Sequence, residues 1–560
     1  MKSIMKGKLH FLYIILFYIL IYKSYSQNPN WVSGIRAGGA KAEEGMDIVM
    51  DLSGNVYVTG YFTSSSITFG SFTLINADNT GNTSDMFVVK FDKNYNVIWA
   101  KRAGNPTRHD MGRSIAVDKN GNVLITGMFG ISISFGSISI IGSNLADAFV
   151  VKYDQNGIEL WANSVKGLTN EQGRCITTDV SGNVFITGSF SSSALHFGTD
   201  TIINSSSGND DDFFIAKYDA SGSFLWARAA GGSNPFGSRN DVGISISSDG
   251  NGNSYVAGQF ECSKIGFDTD TLTNTLEGYK DIFVVCYNSN GGVVWARKAG
   301  GNYDDYLNSI KTNTNGEVVI AGYFNSINST FGTLVLNKQG NSDGYLARYD
   351  QTGNELWVNN QGYNNSAIST NDLFIDVNDN VYATGYFSSS LIVANDTLNT
   401  NGGSDIFVTK YDNFGNNTWG ISAGGNSLDW SYSIAGDATD LFITGMFMSS
   451  NLQFNTSILS CVGSQDFFLS RINLLTTDIL ERNNQNSLTI SPNPNAGIFY
   501  VNTKSTIEVL NMLGQKIGNY ESSNNHMQID LSNQPNGIYY IGLIDKTIGE
   551  KTYRKIIIER

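Results

Sequence analysis

Six carboxylates recur at one place in this chain. Glu43, Asp110, Glu171, Asp241 and Asp305 each stand seventeen residues ahead of a glycine that closes a recurrent motif, and Asp429 stands sixteen ahead of its counterpart. The seventh such position holds Ile368, with Asp372 close by. If the segments carrying them superimpose around an axis, the six acids surround one mouth of a central channel. Carboxylate oxygens gathered in that way are the donors Ca²⁺ takes. The alternative is that each acid satisfies its own loop backbone or pairs with a basic residue such as Arg113 or Arg174. No other cofactor is suggested. Turn motifs such as DKNGN lack calcium-loop spacing, and His109, His196 and His526, the histidines beyond the leader, are too scattered for a multi-histidine metal site.

The same connections carry residues that differ from copy to copy: Arg108 and His109, Arg239, Tyr303 and Tyr306, Tyr363, and Trp430 with Tyr432. Aromatic faces beside amides and charged groups suit a sugar, the faces giving apolar contact and the polar groups fixing orientation. Trp430, Tyr432, Tyr303, Tyr306, Arg108 and His109 are therefore the expected ligand contacts, against the alternative that each aromatic is local packing. No residue is expected to be catalytic, and no G-x-S-x-G elbow or metalloprotease motif occurs. Two acids suffice for glycosidic cleavage, so Asp304 and Asp305 keep a carboxylate-dependent polysaccharide-degrading enzyme as the alternative. Adjacent strand residues point to opposite faces, which counts against that pair. A structural surface spacer without a small-molecule site is the third reading.

The elements that must position these residues are repeats. DLSGNVYVTGYF (51–62), DKNGNVLITGMF (118–129), DVSGNVFITGSF (179–190) and DGNGNSYVAGQF (249–260) recur, and three looser copies follow. The reference glycines Gly60, Gly127, Gly188, Gly258, Gly322, Gly385 and Gly445 are 60 to 70 residues apart, a period that means a repeat architecture. Each copy divides into four segments of strand character. Two of their connections are tight turns, with Asp or Asn ahead of a Gly that tolerates positive φ. Trp31 opens a fourth strand without its first three, and DFFLSRIN (466–473) is a third strand without its fourth, so the N-terminal strand is expected to close a ring and remove its open edges. The fold class expected is all-β: a seven-bladed β-propeller over 27–473. Trp31, Trp99, Trp161, Trp226, Trp295, Trp357 and Trp419 are expected as blade packing, one per blade. The third-strand aspartates Asp85, Asp147, Asp212, Asp281, Asp343, Asp405 and Asp466 are expected to hold loop backbone rather than form a carboxylate ring.

With 60 glycines, 27 tyrosines and 15% charged residues, the composition is that of a turn-rich, aromatic β protein. Net charge is −14, and subtracting the leader's four lysines leaves −18, which argues against nucleic acid as a partner. Residues 1–26 read as a cleaved secretory signal: a basic head, an apolar run from Phe11 to Tyr22 too short to span a bilayer, and small residues Ser24 and Ser26. No transmembrane segment is expected in the mature chain. Cys262 and Cys286 share a repeat and could pair, while the four cysteines as a set show no disulfide framework.

WARAAGG, D-x-FVVKYD and D-x-x-GNVYVTG together resemble the bacterial β-propeller repeat family called SBBP, over about residues 31 to 473. The resemblance implies the propeller and no fixed activity. After a polar connector (474–487), strands alternate with Pro, Asn and Gly turns over 488–560, expected as a small Ig-like β-sandwich. Pro492, Asn493 and Pro494, then Gly497, Gly514, Gly537 with Tyr539, and Lys555, resemble the type A C-terminal sorting domain of the type IX secretion system. That resemblance implies passage through the periplasm of a Gram-negative bacterium, recognition by the type IX machinery, and release or attachment at the cell surface. The expectation is a non-catalytic binding or adhesion protein for a glycan or a surface protein.

Overall fold

A computed structural model describes residues 29–197, 200–206, 210–232, 239–268, 270–394, 396–474, 490–501, 506–512, 514–521, 527–544 and 551–560. The expected signal peptide and nearly all of the expected connector lie outside the described residues. Among those described, the regular elements are strands without helices, and the chain divides into two compact units, Met1–Leu475 and Thr476–Arg560.

In the first unit the four-strand pattern recurs as antiparallel sheets. Sheet I orders Glu43–Met50, Val56–Phe62, Asp85–Phe91 and Val97–Ala103 as first to fourth strands. Sheets II (111–165), III (171–230), IV (242–300), V (305–360) and VI (368–423) repeat that order. In sheet VII, Asp429–Gly436, Asp440–Phe447 and Asp466–Asn473 are joined by Asn30–Ala37, which runs antiparallel to Asp466–Asn473 as the fourth strand.

Why these segments form hairpins is visible at Asp51. Its carboxylate accepts the Ser53 and Asn55 N–H groups at 2.9 Å each and the Asn55 side-chain amide at 2.8 Å, while Gly54 takes φ +81°. A side-chain oxygen that satisfies turn N–H groups pre-forms the turn. Asp118, Asp179, Asp249 and Asp376 do the same. Third strands such as DMFVVKF are buried along their whole length, which is why they read as unbroken apolar runs. The long connection between second and third strands is more than a loop. In sheet I it forms a further hairpin, Ser66–Phe69 with Phe72–Ile75, that tucks Ile67 and Phe69 into the core. A four-segment reading of the repeat does not foresee it.

The fourth-strand tryptophans join neighbouring sheets. The indole N–H of Trp99, Trp161, Trp226, Trp295 and Trp357 donates to Gln155, Ala220, Ser289, Gln351 and Asn413 carbonyls, each in the third-to-fourth turn of the next sheet. The turn glycine there has positive φ and lies under the ring. At Gly291 (φ +79°) an added Cβ would sit 2.8 Å from Trp226. Trp31 packs between sheets as expected, at a different register from the others. Trp99 pairs with Lys90 on the third strand, but the residue opposite the equivalent Arg471 is Ser33, and Trp31 lies beyond it, opposite Ile472. The cause is in the facing turn of sheet I, where Tyr95 (φ +67°) stands in place of the glycine and donates its hydroxyl to the Ser33 carbonyl at 2.8 Å. A second large ring has no room there. Trp31 instead donates to the Ser422 carbonyl and packs edge-on to Phe454.

The second unit holds a three-stranded sheet (Ile490–Ser491, Ile498–Val501, Met527–Asp530) and a four-stranded one ordered Lys516–Tyr520, Thr506–Asn511, Gly537–Ile544, Lys551–Ile558. Phe499, Val501, Ile507, Val509, Ile541 and Ile556 belong to one shared apolar core.

Candidate functional site

All seven first strands slip register near their start, between Gly45 and Asp47 in sheet I and at the matching place in the others. A bulge inserts one residue and re-aims its side chain. The inserted residues are Met46, Arg113, Arg174, Ile244, Asn308, Asn371 and Tyr432. The backbone device is shared by every sheet while its side chains are of five kinds, so here the repeat symmetry breaks.

Immediately past the bulge, Asp47, Ser114, Cys175, Ser245, Ser309, Asp372 and Ser433 face one another from successive sheets. Asp47 accepts the Ser114 hydroxyl at 2.7 Å, and Cys175 Sγ lies 3.6 Å from Ser114 Oγ and 3.8 Å from Ser245 Oγ. Ser309 donates to Asp372 at 2.7 Å, and Ser433 Oγ lies between Asp372 (2.6 Å) and Asp47 (2.8 Å), so the chain of contacts returns to sheet I. Lys311 Nζ is 3.3 Å from Asp372. Burial opposes the Lys311 charge, but Asp372 and Asp47 outweigh it and raise its pKa; burial likewise raises that of Asp47. Beyond this girdle, on the far side, a cavity of about 220 Å³ is lined by Lys311, Ile48, Ile375 and Ile434 among others.

On the near side the side chains make a mouth. Tyr306 stacks on Tyr323 with ring centres 4.5 Å apart, and Lys280 Nζ lies 5.4 Å from the Tyr306 centroid. Trp430 stacks on Tyr386 at 4.8 Å. Asn308 reaches Asn371, whose amide donates to the Ser431 carbonyl at 2.7 Å. Glu44 accepts from Tyr61 and Gln465, and burial raises its pKa against those bonds, that of Tyr432 and the charge of Arg113. Arg113 and Arg174 follow on sheets II and III. Aromatic rings thus run from sheet V through sheets VI and VII to sheet I, and two cations continue the arc.

Of the expected ligand contacts, Tyr306, Trp430 and Tyr432 are brought together in this mouth. Trp430 is half-buried rather than an open platform: Tyr386 covers one face, and its N–H donates to Ser404 Oγ at 2.6 Å. Tyr303 is 45% exposed and meets Tyr279 edge-on, outside the stacked pairs. Arg108 and His109 are exposed; His109 Nδ1 lies 3.2 Å from the Ser84 N–H and hydroxyl, and the Arg108 stem covers Gly130.

The six carboxylates do not form the expected Ca²⁺ site. Glu43, Asp110, Glu171, Asp241, Asp305 and Asp429 are fully buried, each clasping its own loops. Asp110 accepts Asn105 and Gly130 N–H groups; Glu43, those of Gly39 and Ser64; Asp241, those of Gly232 and Glu261; Glu171 accepts the Gly167 N–H and Ser192 hydroxyl. Asp305 and Asp429 likewise hold Ser326 and Gly425 with Ser449. Among the described residues no three His, Cys, Asp or Glu side chains gather as metal ligands. Burial raises Asp110 to about 8 and Asp241 and Asp305 to about 7. Asp304, beside Asp305, instead accepts the Lys280 N–H at 2.9 Å. The third-strand aspartates hold backbone too: Asp343 accepts Gln339 and Gly340 N–H groups, and the WARAAGG glycines exist because an added Cβ at Gly231 would meet Asp212 at 2.1 Å.

The sorting-motif residues all lie in the second unit. Asn493, between Pro492 and Pro494, accepts the Ile557 N–H at 2.8 Å and donates to the Lys555 carbonyl at 3.1 Å, tying the start of the second unit to its last strand. Gly497 (φ +101°) is pressed against Ser532, and Gly514 (φ +75°) and Gly537 (φ +155°) turn the chain in open space. Tyr539 donates to the Pro535 carbonyl at 2.8 Å, and Lys555 is exposed.

Comparison with known proteins agrees with these two units. Residues 489–559 match the family model for the secretion system C-terminal sorting domain, and residues 98–128 match that for the β-propeller repeat. The sorting domain is of the type IX system, so the chain is a secreted or cell-surface protein of a Bacteroidetes-type Gram-negative bacterium. Among curated proteins, an uncharacterised WD repeat-containing protein of Acanthamoeba polyphaga mimivirus is 23% identical over 77% of this chain. The regulatory protein FlaEY of Caulobacter vibrioides is 25% identical over 32%. The chain spans 37% and 18% of the lengths of these relatives. Among solved structures, the WD40 β-propeller domain of Doa1 aligns with TM-score 0.37 at 8% identity, covering 80% of this chain and 97% of that one. PorZ, an essential bacterial surface component of the type-IX secretion system of Porphyromonas gingivalis, aligns with TM-score 0.19 at 8% identity, covering 94% of this chain and 100% of that one. Among the described residues no helix is long and apolar enough to cross a membrane.

Proposed function

We propose that this β-propeller repeat protein, exported with a type IX sorting domain, is a non-catalytic binding or adhesion protein whose central mouth takes a glycan or a surface protein. In this reading the first unit is a seven-bladed ring closed by Asn30–Ala37, and the second is an Ig-like sandwich that the secretion machinery recognises. Support for the ring comes from the antiparallel pairing of Asn30–Ala37 with Asp466–Asn473 and from the contacts that run from Asp47 through the sheets and return at Ser433.

The observation that carries the binding reading is the bulge position. Seven sheets keep one backbone device and fill it with Met, Arg, Arg, Ile, Asn, Asn and Tyr, and beside these side chains stand two stacked aromatic pairs. Packing alone would favour one residue type at equivalent places. A ligand with its own shape favours different ones. Asp304 and Asp305 support catalysis less well, since Asp305 is sealed against Ser326 and offers no open acid beside its neighbour.

The test is a glycan array and a surface-protein overlay with the purified chain and its Tyr386→Ala and Tyr432→Ala variants. Saturable binding that both variants lose, with their thermal midpoints within a few degrees of the parent, supports the mouth as the site. Binding that both variants retain places the ligand elsewhere, and no binding by any form leaves the spacer reading.

A further inference from the structure

Two arginines in the mouth keep unmet donors, each with one carboxylate near but none in direct contact. Arg113 and Arg174 are the bulge residues of neighbouring sheets, and the Nε–H of each is buried without a hydrogen-bond partner. Arg113 touches Met128 Sδ at 3.8 Å, and among the described residues neither guanidinium forms an ion pair. The acids that bear on them are engaged elsewhere: Glu44 by Tyr61 and Gln465, Asp211 by the Ser189 hydroxyl at 3.2 Å. Burial, and then the neighbouring charge of Arg113, lowers the Arg174 pKa to about 10, so it remains a cation at neutral pH.

A buried guanidinium whose donors are unmet is costly to keep. The guanidinium fork matches a carboxylate and holds it through parallel N–H donors. Tyr61, which donates its hydroxyl to Glu44 at 2.5 Å, stands between the arginines and the Tyr432 and Tyr386 rings.

We propose that Arg113 and Arg174 receive the carboxylate of an acidic sugar, a uronic acid unit of a polysaccharide, while Tyr61, Tyr432 and Tyr386 cover its apolar face. This rests on the reading of the mouth as a glycan site and names the ligand's class.

The experiment is calorimetric titration of the purified chain with oligogalacturonate, oligomannuronate and oligoglucuronate, each also as its methyl ester, with dextran sulfate and poly-glutamate as further arms. At least one uronate should bind, its ester at least tenfold more weakly, and added salt should weaken the acid alone. Arg113→Gln and Arg174→Gln should each lose tenfold or more, the Lys variants less. The Gln variants should keep or raise the thermal midpoint without ligand, because each removes an unpaired buried charge. If ester and acid bind alike, or the Gln variants bind undiminished, the proposal falls while a neutral-glycan mouth stands. Binding of poly-glutamate or dextran sulfate alone overturns it in favour of a protein or sulfated partner. A Gln variant that melts well below the parent marks the arginines as structural and overturns it too. No binding by any of these probes overturns the proposal, while the glycan reading stands or falls on the array.

Discussion

Gly291→Ala separates two demands that the repeat places on one glycine. The residue has φ +79°, and left-handed backbone costs an alanine about 1–2 kcal/mol. An added Cβ would also sit 2.8 to 3.1 Å from the indole of Trp226, which donates to Ser289 one turn away. Forcing that ring aside adds about 1–3 kcal/mol of overpacking, for a total of about 2–5 kcal/mol. Gly54→Ala is the matched control, with φ +81° and nothing within 4 Å of the added carbon, so only the backbone cost of about 1–2 kcal/mol applies. Urea unfolding followed by indole fluorescence reads the first unit alone, since all eight tryptophans lie between Trp31 and Trp430. In the Trp226→Leu background the cost of Gly291→Ala should fall to that of Gly54→Ala, a coupling of about 1–3 kcal/mol. Equal costs for the two glycines in the parent, or no coupling to Trp226, would refute the claim that the indole rests on the turn.

Burial holds Asp110 near 8 and Asp241 and Asp305 near 7, above the ~4 of an unfolded carboxyl. Their contribution to stability is whole below that lower value and is lost as pH rises through the folded one. The thermal midpoint of the first unit should therefore decline between pH 5 and 8 in scanning calorimetry, and Asp110→Asn should flatten the decline. The lowered turn acids Asp51 and Asp118 act oppositely, so stability should also fall as pH drops below about 4. All four cysteines are free, Cys262 and Cys286 included, so denatured chain should take four alkyl groups without reductant by mass spectrometry. Asn493→Ala removes two bonds to the last strand and should destabilise the second unit by about 1–3 kcal/mol in hydrogen exchange, lowering the exported fraction.

The repeat was legible because its signals are local. Asp51 and Gly54 build their turn within four residues, and the spacing of Gly60 to Gly445 counts the copies. What escaped reading depends on register. One inserted residue moves a strand's side chains to the other face, so nothing in the string RSIAVD shows that Arg113 enters the mouth while Ser114 joins the girdle. A signal did exist: fourteen residues before the reference glycine stand Met46, Arg113, Arg174, Ile244, Asn308 and Asn371, a column of mixed character inside an otherwise regular strand. The six acids, aligned just as well, point into their own loops because a buried carboxylate is worth most where backbone donors are otherwise unmet. Trp31 matched the tryptophan pattern by type, yet WVSGIRA is two residues longer than WAKRA, and that offset was readable.

The exchange of Trp31, Ser33 and Tyr95 at the seam between sheets VII and I also bears on the order of folding. Every other sheet completes itself from neighbouring sequence, whereas the Ser470 hydroxyl reaches the Ser33 carbonyl across 437 residues. Bringing ends so distant together costs about 5 kcal/mol in chain entropy if the intervening chain is still loose. Far less remains once the intermediate sheets have stacked and carried Asn30–Ala37 to its partner. The seam is therefore expected to close last in a chain rich in non-local pairing. The Trp31, Ser33 and Tyr95 packing there ties Asn30–Ala37 to Asp466–Asn473 alone, where sheets I to VI already pair their third strands with their own fourth.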